Sequence, residues 1–382
     1  MGKDFWYELA GQPEAVAQVK RAVDQRENGV FHSWLITGPP GSGRSVLAET
    51  FAAALECPQK GCGICHSCVL AAAGTHPDIT VLSTEKVQIA IGEVRDLVAQ
   101  SAFGSSMGGY RILIIEDADR MAPLAANVLL KALEEPPANT IWILCAPSEV
   151  DMLPTIRSRV RKVVLKVPSV EDVANLLVER DGIEPGLATL VAAEAQSHIG
   201  MARRLALSPE VRKRRHDYLQ AAMNINNVTH AVRAAEKWLD LAKKDALALT
   251  KERDEEELQG LLHSLGLAPG DAVPPAYRPD VKKLEEAQKR RATRSLRDGI
   301  DRILVDLLAL YRDVLTVQLY TKAQLINRDL EIQIREVATS TKAENTIRII
   351  DEIEKARHRI DRNVRDILVL DSLATTLKRS SL

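Results

Sequence analysis

The stretch Gly38-Pro39-Pro40-Gly41-Ser42-Gly43-Arg44-Ser45 decides the fold, because an apolar strand candidate at 34–37 precedes it and a helical pattern follows it. Glycines in such a turn let successive backbone N–H groups point at phosphate oxygens, and the helix N-terminus adds partial positive charge. The matching pattern is G-x-x-x-x-G-K-[ST], whose last hydroxyl binds magnesium. We therefore predict a phosphate loop. Its nucleotide-binding candidates are Gly38, Gly41, Gly43, Arg44 and Ser45. An ordinary glycine-rich turn without a ligand is the alternative.

One position of this loop departs from the pattern, since Arg44 stands where lysine is usual. Lysine carries a compact charge on a slim stem, whereas the guanidinium of arginine is planar and wider and favours bidentate pairing. Arg44 still attracts phosphate, so nucleotide binding stays open. The placement of a γ-phosphate for hydrolysis is not expected from it.

An acidic pair follows another apolar run. The run at 112–115 ends in Glu116 and Asp117, and in P-loop ATPases acids at this place hold magnesium and polarise the attacking water. The usual order is Asp then Glu, so Asp117 is one methylene shorter than the usual base. We include Glu116 and Asp117 in the candidate nucleotide site and expect a weakened base.

The polar sensor residue that should follow the next strand is missing. After the apolar run at 141–144 the chain reads Cys145-Ala146-Pro147, and the side chains of Ala146 and Pro147 cannot hydrogen-bond a γ-phosphate. Three catalytic positions thus depart from the working pattern, counting those at Arg44 and Asp117. Together they predict slow or absent ATP hydrolysis by this chain.

The hydrophobic pattern divides the chain of 382 residues into three predicted domains. In residues 1–167 short apolar runs alternate with helical patterns, which predicts a parallel sheet with helices on both faces. The predicted strands are 34–37, 79–82, 111–115, 141–145 and 162–165. Residues 168–207 predict a small helical lid domain, and residues 208–382 an all-α domain.

Two features stand out in the predicted all-α domain. A Gly/Pro-rich loop is expected at 267–279, within a charged segment at about 251–297 whose role the sequence leaves open. The last helix is expected to carry one apolar face for packing on partner helices. That face comprises Ile350, Ile353, Ile360, Val364 and Ile367.

Four of the five cysteines fall within twelve residues, at Cys57, Cys62, Cys65 and Cys68. Four thiolates on a tight loop can surround one tetrahedral zinc ion and leave no open position for water. The cluster therefore predicts a structural zinc site within the first domain. Cys145 is expected to be a small buried residue.

Composition limits the classes of function. The formal net charge is −1, so the chain lacks the overall basic field of non-specific nucleic-acid binders. No run approaches the ~18 apolar residues of a membrane span, and the region from Met1 to Gln12 lacks the pattern of a secretory signal. We expect a cytoplasmic protein with no membrane contact.

Several stretches resemble the bacterial clamp-loader family of AAA+ proteins. Residues 127–137 read Asn-Val-Leu-Leu-Lys-Ala-Leu-Glu-Glu-Pro-Pro, like a helix of that family. Residues 155–160 are similar to its Ser-Arg-Cys motif, with Val160 in place of cysteine. Residues 115–121 are closer to the delta-prime type of subunit than to the ATPase subunits. The resemblance covers roughly residues 5–210 and is weaker beyond them.

The resemblance implies an α/β AAA+ P-loop domain, a helical lid and an all-α collar domain. It implies a subunit of the DNA polymerase III clamp loader, which places a sliding clamp on primed DNA during replication. Its partners would be gamma/tau and delta subunits in a ring of five, the sliding clamp and primer-template DNA. ATP or ADP with magnesium and a structural zinc ion would be its ligands.

The resemblance also implies roles for single residues. Arg159, with Ser158 of the same motif, would be an arginine finger that completes the nucleotide site of the neighbouring subunit. A surface arginine in a salt bridge is the alternative. Arg203 matches the sensor-2 arginine of the lid, and a structural ion pair is equally open there.

Three functions remain to be separated. The first is an interaction subunit that supplies Arg159 and collar contacts while its own ATPase is weak or inactive. The second is an active, gamma/tau-like ATPase motor of the same loader, so whether the chain is itself an enzyme stays open. The third is a stand-alone zinc module for nucleic acid, which the net charge of −1 disfavours. No carboxylate set for nucleotidyl transfer is present in the sequence, so membership of a DNA-directed DNA polymerase complex implies no polymerase chemistry.

Overall fold

Five apolar strands form one parallel sheet in a computed structural model, which describes residues 5–84, 88–265, 267, 274–275, 277–362 and 364–378. The strands stand in the order β2-β3-β4-β1-β5. They are β1 (Ser33–Thr37), β2 (Ile79–Leu82), β3 (Arg111–Ile115), β4 (Thr140–Ala146) and β5 (Arg161–Val164). Every predicted strand is found within one residue of its expected limits, so the predicted parallel sheet is confirmed.

The burial of the two central strands, β1 and β4, explains why their sequences do not alternate between apolar and polar residues. Every residue of β1 and β4 is buried, as expected for parallel strands covered on both faces. Along β1, Trp34 and Ile36 belong to the core on one face of the sheet, while Leu35 belongs to the core on the other. The carboxyl ends of β1, β3 and β4 meet at one edge, which is where open α/β sheets bind ligands.

Helices cover both faces of this sheet. One core contains Phe51 of the helix after the phosphate loop, and the other contains Leu129 of the helix after the acidic pair. The helices in order are α1 (Pro13–Asp24), α2 (Arg44–Glu56), α3 (His66–Ala72), α4 (Ile91–Ser101), α5 (Pro123–Glu134) and the short α6 (Pro154–Arg157). Three more follow the sheet: α7 (Val170–Asp181), α8 (Pro185–Glu194) and α9 (Ile199–Leu207). The predicted α/β P-loop arrangement is thus the observed one.

The chain separates into two compact units, Met1–Leu207 and Ser208–Leu382. The finer predicted boundary between residues 167 and 168 stays a prediction. One limit of a strand needs correction: β4 runs through Ala146, because Cys145 and Ala146 pair in register with Ile36 and Thr37 of β1. These two residues therefore belong to the strand itself.

The second unit is helical throughout the part that the structure describes. Its helices are α10 (Pro209–Met223), α11 (Val228–Ser264), α12 (Arg278–Gln318), α13 (Glu331–Ser340), α14 (Ala343–Asp361) and α15 (Asp366–Thr376). Their shared core includes Trp238, Leu304 and Leu373, all nearly inaccessible to solvent. The predicted all-α character of this region is confirmed.

The prediction of one continuous last helix is wrong. The helix carrying Ile350, Ile353 and Ile360 ends at Asp361, and a separate helix begins at Asp366. Ile353 and Ile360 are buried in the core of their own unit, whereas Val364 lies between the two helices and is 41% exposed. The buried part of this apolar face thus packs within its own chain.

Two long helices extend beyond that core. We call residues 251–264 of α11 and 278–299 of α12 the arm. Among arm residues whose exposure is described, none is buried. Arg291 of α12 connects the two helices of the arm. It pairs with Asp254 of α11 at 2.5 Å and with Glu257 of α11 at 2.9 Å. The loop predicted at 267–279 falls largely outside the described residues.

No described helix combines the length and the apolar character that crossing a membrane requires.

Candidate functional site

The phosphate-loop stretch connects the carboxyl end of β1 to the first turn of α2. Gly38 donates its N–H to the carbonyl of Ala146 at 3.3 Å, so the loop starts against the end of β4. Gly41 and Gly43 have φ of +78° and +94°, which only glycine adopts without strain. Gly43 is the N-cap of α2, and Ser45, half-buried, lies in the first turn. The strand–loop–helix context that a phosphate site needs is therefore present.

The Arg44 side chain folds back onto its own loop. Its Nη1 donates to the carbonyl of Gly38 at 2.7 Å, and its Nη2 lies 3.7 Å from Oδ1 of Asp117. Its side chain is only 13% exposed. The guanidinium thus binds the loop backbone and the acidic residue, where a lysine would extend to a phosphate.

The acidic pair lies beside this arginine. Asp117 is in the left-handed region at φ 48° and ψ 49°, and its carboxylate also lies 3.8 Å from Nε of Arg120. Glu116 donates its backbone N–H to the carbonyl of Leu82 and is half-buried. The Asp117 carboxylate therefore lies between two guanidinium groups, 3.7 Å from that of Arg44 and 3.8 Å from that of Arg120.

Cys145 adds no polar sensor to this cluster. Burial raises the pKa of its thiol to about 12, and the nearby Glu116 carboxylate acts in the same direction. A neutral thiol is a weak hydrogen-bond donor. Ala146 contributes only its backbone carbonyl, to Gly38.

The helical segment after the sheet contacts the loop from another side. The His198 ring lies against Gly41, so that a Cβ added there would be 2.3 Å from Cγ of His198. The backbone N–H of Ile199 also donates to the carbonyl of Gly41 at 3.4 Å. This contact joins distant parts of the sequence, and no motif in the sequence indicates it.

The four clustered cysteines converge in space. Their sulfur atoms all lie within 4.8 Å of one another. Sγ of Cys57 is 3.6 Å from Sγ of Cys62 and 3.7 Å from Sγ of Cys65. A tetrahedral zinc site with Zn–S bonds of ~2.3 Å has sulfurs roughly 3.8 Å apart. The cluster therefore has the dimensions of a four-thiolate metal site.

Backbone donors surround these sulfurs. The N–H groups of Cys62, Cys65 and Cys68 donate to the sulfurs of Cys57, Cys62 and Cys65 at 3.3, 3.3 and 3.5 Å. The N–H groups of this loop thus point at the sulfur atoms that would bind a metal ion. Positive φ at Lys60, Gly61 and Gly63 bends the loop between the cysteines.

Arg26 fixes the start of the cysteine loop, and sequence analysis did not identify it. Its Nη1 donates to the carbonyls of Leu55 and Cys57 at 3.0 and 2.6 Å, and its Nη2 donates to that of Pro58 at 3.0 Å. A cation at a helix C-terminus satisfies carbonyls that have no partner in the helix. A lone arginine 31 residues before Cys57 gives no signal for this role in the sequence.

Arg159 and Ser158 follow α6 on the surface of the first unit. Nε of Arg159 donates to Oε1 of Glu134 at 2.6 Å, and Nη2 lies 2.5 Å from the same oxygen. Nη1 donates to the carbonyl of Thr155 at 2.8 Å and to Oγ of Ser158 at 3.0 Å. Arg159 is 36% exposed, so its guanidinium is accessible while it is paired.

Arg203 of α9 is 52% exposed and its Nε lies 3.1 Å from Oδ1 of Asp181. Asp181 also pairs with Arg180 at 2.8 Å. Burial alone would raise the pKa of Asp181, but the two arginines hold it below its usual value. The structure thus brings Arg44, Asp117 and Cys145 together, while Arg203 forms an ion pair with Asp181.

The comparisons with known proteins agree with this geometry. Residues 11–169 match the family model described as DNA polymerase III, delta subunit. The chain is 42% identical over 134 residues to the DNA polymerase III subunit delta′ of Pseudomonas aeruginosa, covering 34% of this chain and 41% of that protein. It is 23% identical over 356 residues to that of Bacillus subtilis, covering 92% of each.

A second kind of relative is similar over 157 residues. The DNA polymerase III subunit gamma/tau of Mycobacterium bovis is 31% identical over 157 residues, which is 40% of this chain and 27% of that protein. The chain spans less than half the length of the first curated relatives that it matches. The range matched by the family model includes the sheet, the phosphate loop and the Ser-Arg segment of this chain. Residues 11–169 of this chain are therefore similar to the delta and delta′ subunits of DNA polymerase III.

Proposed function

We propose that this chain is the delta-prime-type subunit of a bacterial clamp loader, which helps to place the sliding clamp on primed DNA during replication. Its partners would be gamma/tau and delta subunits in a five-membered ring, the sliding clamp and primer-template DNA, in the cytoplasm. In this role it supplies Arg159 to the nucleotide site of the neighbouring subunit, while its own ATPase is weak or inactive.

The observation that carries this proposal is the state of Arg44. Its guanidinium binds the carbonyl of Gly38 and lies 3.7 Å from Asp117, so the charge that should meet a phosphate is already compensated. A nucleotide would have to displace both contacts. Binding through Gly38, Gly41, Gly43 and Ser45 with magnesium near Glu116 and Asp117 therefore competes with the loop's own contacts.

Arg159 supports the part of the proposal that concerns the neighbouring subunit. It is exposed, lies next to Ser158 and belongs to the stretch that resembles the family's Ser-Arg-Cys motif. A guanidinium delivered across an interface stabilises charge on the transferring phosphoryl group, an effect of about 10³–10⁵ in rate in GTPases. This role requires no hydrolysis by the chain that supplies the arginine.

Zinc at the cysteine cluster would have a structural role. Cys57, Cys62, Cys65 and Cys68 would supply four thiolates and close the shell, which excludes a bound water for catalysis. Their sulfur spacing and their backbone N–H donors support this assignment.

An ATPase assay on the purified full chain, wild type and Arg44→Lys, tests the inactive site. We expect no turnover above background from wild type, and nucleotide binding at most. Robust hydrolysis by the wild-type chain would contradict the proposal and favour the active, gamma/tau-like motor. The 31% identity to the gamma/tau subunit of Mycobacterium bovis is the observation that supports this second candidate.

Arg159→Ala in the reconstituted loader tests the trans role, with Arg157→Ala as the matched control. Arg157 is two residues away, 32% exposed and paired with Glu149 at 3.5 Å. We expect Arg159→Ala to abolish the turnover of the adjacent site and Arg157→Ala to retain it. Equal turnover by wild type and Arg159→Ala would refute the trans role.

A further inference from the structure

The guanidinium of Arg159 is held within its own chain by one carboxylate. Nε and Nη2 both contact Oε1 of Glu134, while Nη1 is bound to the carbonyl of Thr155 and the hydroxyl of Ser158. The Nε–Nη2 edge is one of the two edges with which arginine binds a planar or tetrahedral oxyanion. Glu134 therefore occupies an edge that a phosphate could use.

The backbone around Glu134 is firmly positioned. Glu134 is the last residue of α5, directly after the buried Leu133, whose carbonyl accepts a hydrogen bond from Nε2 of His32 at 2.9 Å. Its carboxylate is nevertheless 46% exposed. The backbone of Glu134 is thus held in place, while its ion pair with Arg159 remains accessible to solvent.

Helix stability does not explain an acid at this position. The C-terminus of a helix carries partial negative charge, so a carboxylate in its last turn is disfavoured. Lys131 is the basic residue of that last turn, and the charge of Glu134 is compensated by Arg159 from outside the helix. The ion pair with Arg159 is therefore the interaction that the Glu134 carboxylate provides.

The pair is weak enough to open. Both donors meet the same oxygen, so the two parallel bonds of a bidentate fork are missing. Exposed pairs of this kind favour the closed form by about twofold to fivefold, and salt screens them. A phosphate with more than one negative charge can therefore take the guanidinium from Glu134.

We propose that Glu134 is a latch, a positioning residue that holds Arg159 on its own chain until the nucleotide of the neighbouring subunit competes for it. This inference rests on the trans role of Arg159 proposed above. The latch would lower the affinity of the adjacent site for ATP without contacting the nucleotide. It would also keep the guanidinium ordered when no neighbour is present.

The test is ATP turnover by the reconstituted loader, as a function of ATP concentration, with Glu134→Gln in this chain. Glutamine keeps the size of the side chain and removes its charge. The matched control is Glu135→Gln, since Glu135 is the adjacent exposed acid. We expect Glu134→Gln to lower the half-saturating ATP concentration by about twofold to fivefold, with a smaller change in maximal rate. The difference from wild type should shrink at high salt.

A double variant separates the latch from the finger. Because Arg159→Ala is expected to abolish turnover of the adjacent site, the readout in that background is equilibrium binding of ATP to the loader. Glu134→Gln should leave this binding unchanged, because Glu134 acts only through Arg159. The latch is wrong if Glu134→Gln leaves the half-saturating concentration unchanged or raises it, if Glu135→Gln has the same effect, or if the effect persists without Arg159. If Arg159→Ala itself leaves turnover unchanged, the trans role fails and the latch fails with it.

Discussion

Replacing Gly41 by alanine tests the contact between the phosphate loop and His198. The backbone has φ of +78° there, and the left-handed region costs an alanine about 1 kcal/mol. The new Cβ would lie 2.3 Å from Cγ and 2.4 Å from Cδ2 of His198, so the ring must move. Moving it breaks the bond in which Nδ1 of His198 accepts the N–H of Met201, worth about 1 kcal/mol.

The two contributions give a loss of about 2 kcal/mol in the free energy of unfolding of the first unit. Urea denaturation with circular dichroism measures it. Gly74→Ala is the matched control, because Gly74 also has positive φ, at +67°, but nothing lies within 4 Å of an added Cβ. That variant should lose only the backbone part, about 1 kcal/mol.

His198→Ala completes a double-mutant cycle. In its background Gly41→Ala should lose only the backbone part, which gives a coupling energy of about 1 kcal/mol between the two positions. If Gly41→Ala costs no more than Gly74→Ala, or if the two substitutions add without coupling, His198 does not pack on the loop as described.

Two further predictions concern the cysteine loop and its surroundings. Elemental analysis of the purified chain should find one zinc ion. The Cys62→Ser variant should lose this ion, and its melting temperature should fall by about 5 °C or more. An unchanged melting temperature after loss of zinc would contradict a structural site. Burial raises the pKa of Glu56 to about 7, although the N–H donated by Tyr110 acts in the opposite direction. Because the pKa of Glu56 in the folded state lies above the usual value of 4.5, its ionisation lowers the free energy of unfolding. This loss is absent at low pH and reaches about 3 kcal/mol above pH 7. Glu56→Gln should therefore gain stability relative to wild type as the pH rises from 4.5 to 7 in urea titrations, and a constant difference would contradict this.

The sequence predicts the sheet well because each strand leaves a local signal. Continuous apolar runs mark strands that are buried on both faces, and the glycines of the phosphate loop mark the turn between β1 and α2. The cysteine spacing likewise predicts a cluster whose sulfurs do converge. These features depend on residues that are close together in the chain.

The contacts that decide the chemistry are less visible in the sequence. Arg44 could extend to a phosphate or fold onto Gly38, and its residue type permits both. Glu134 and Arg159 are 25 residues apart, and nothing in their local pattern indicates an ion pair. The end of α14 at Asp361 is not visible in the sequence for a related reason: apolar spacings of three and four continue from Ile360 to Ile367.

The absence of buried residues among those described in the arm has a consequence for local stability. The stability of a helix in water depends mainly on packing of its apolar residues. In the arm, charged contacts such as that of Arg291 with Asp254 replace this packing. Amide protons of the arm should therefore exchange with solvent through local fraying, far sooner than those around Trp238. The second unit would then melt from the arm inward, and shortening the two helices of the arm by equal numbers of turns would leave its core intact.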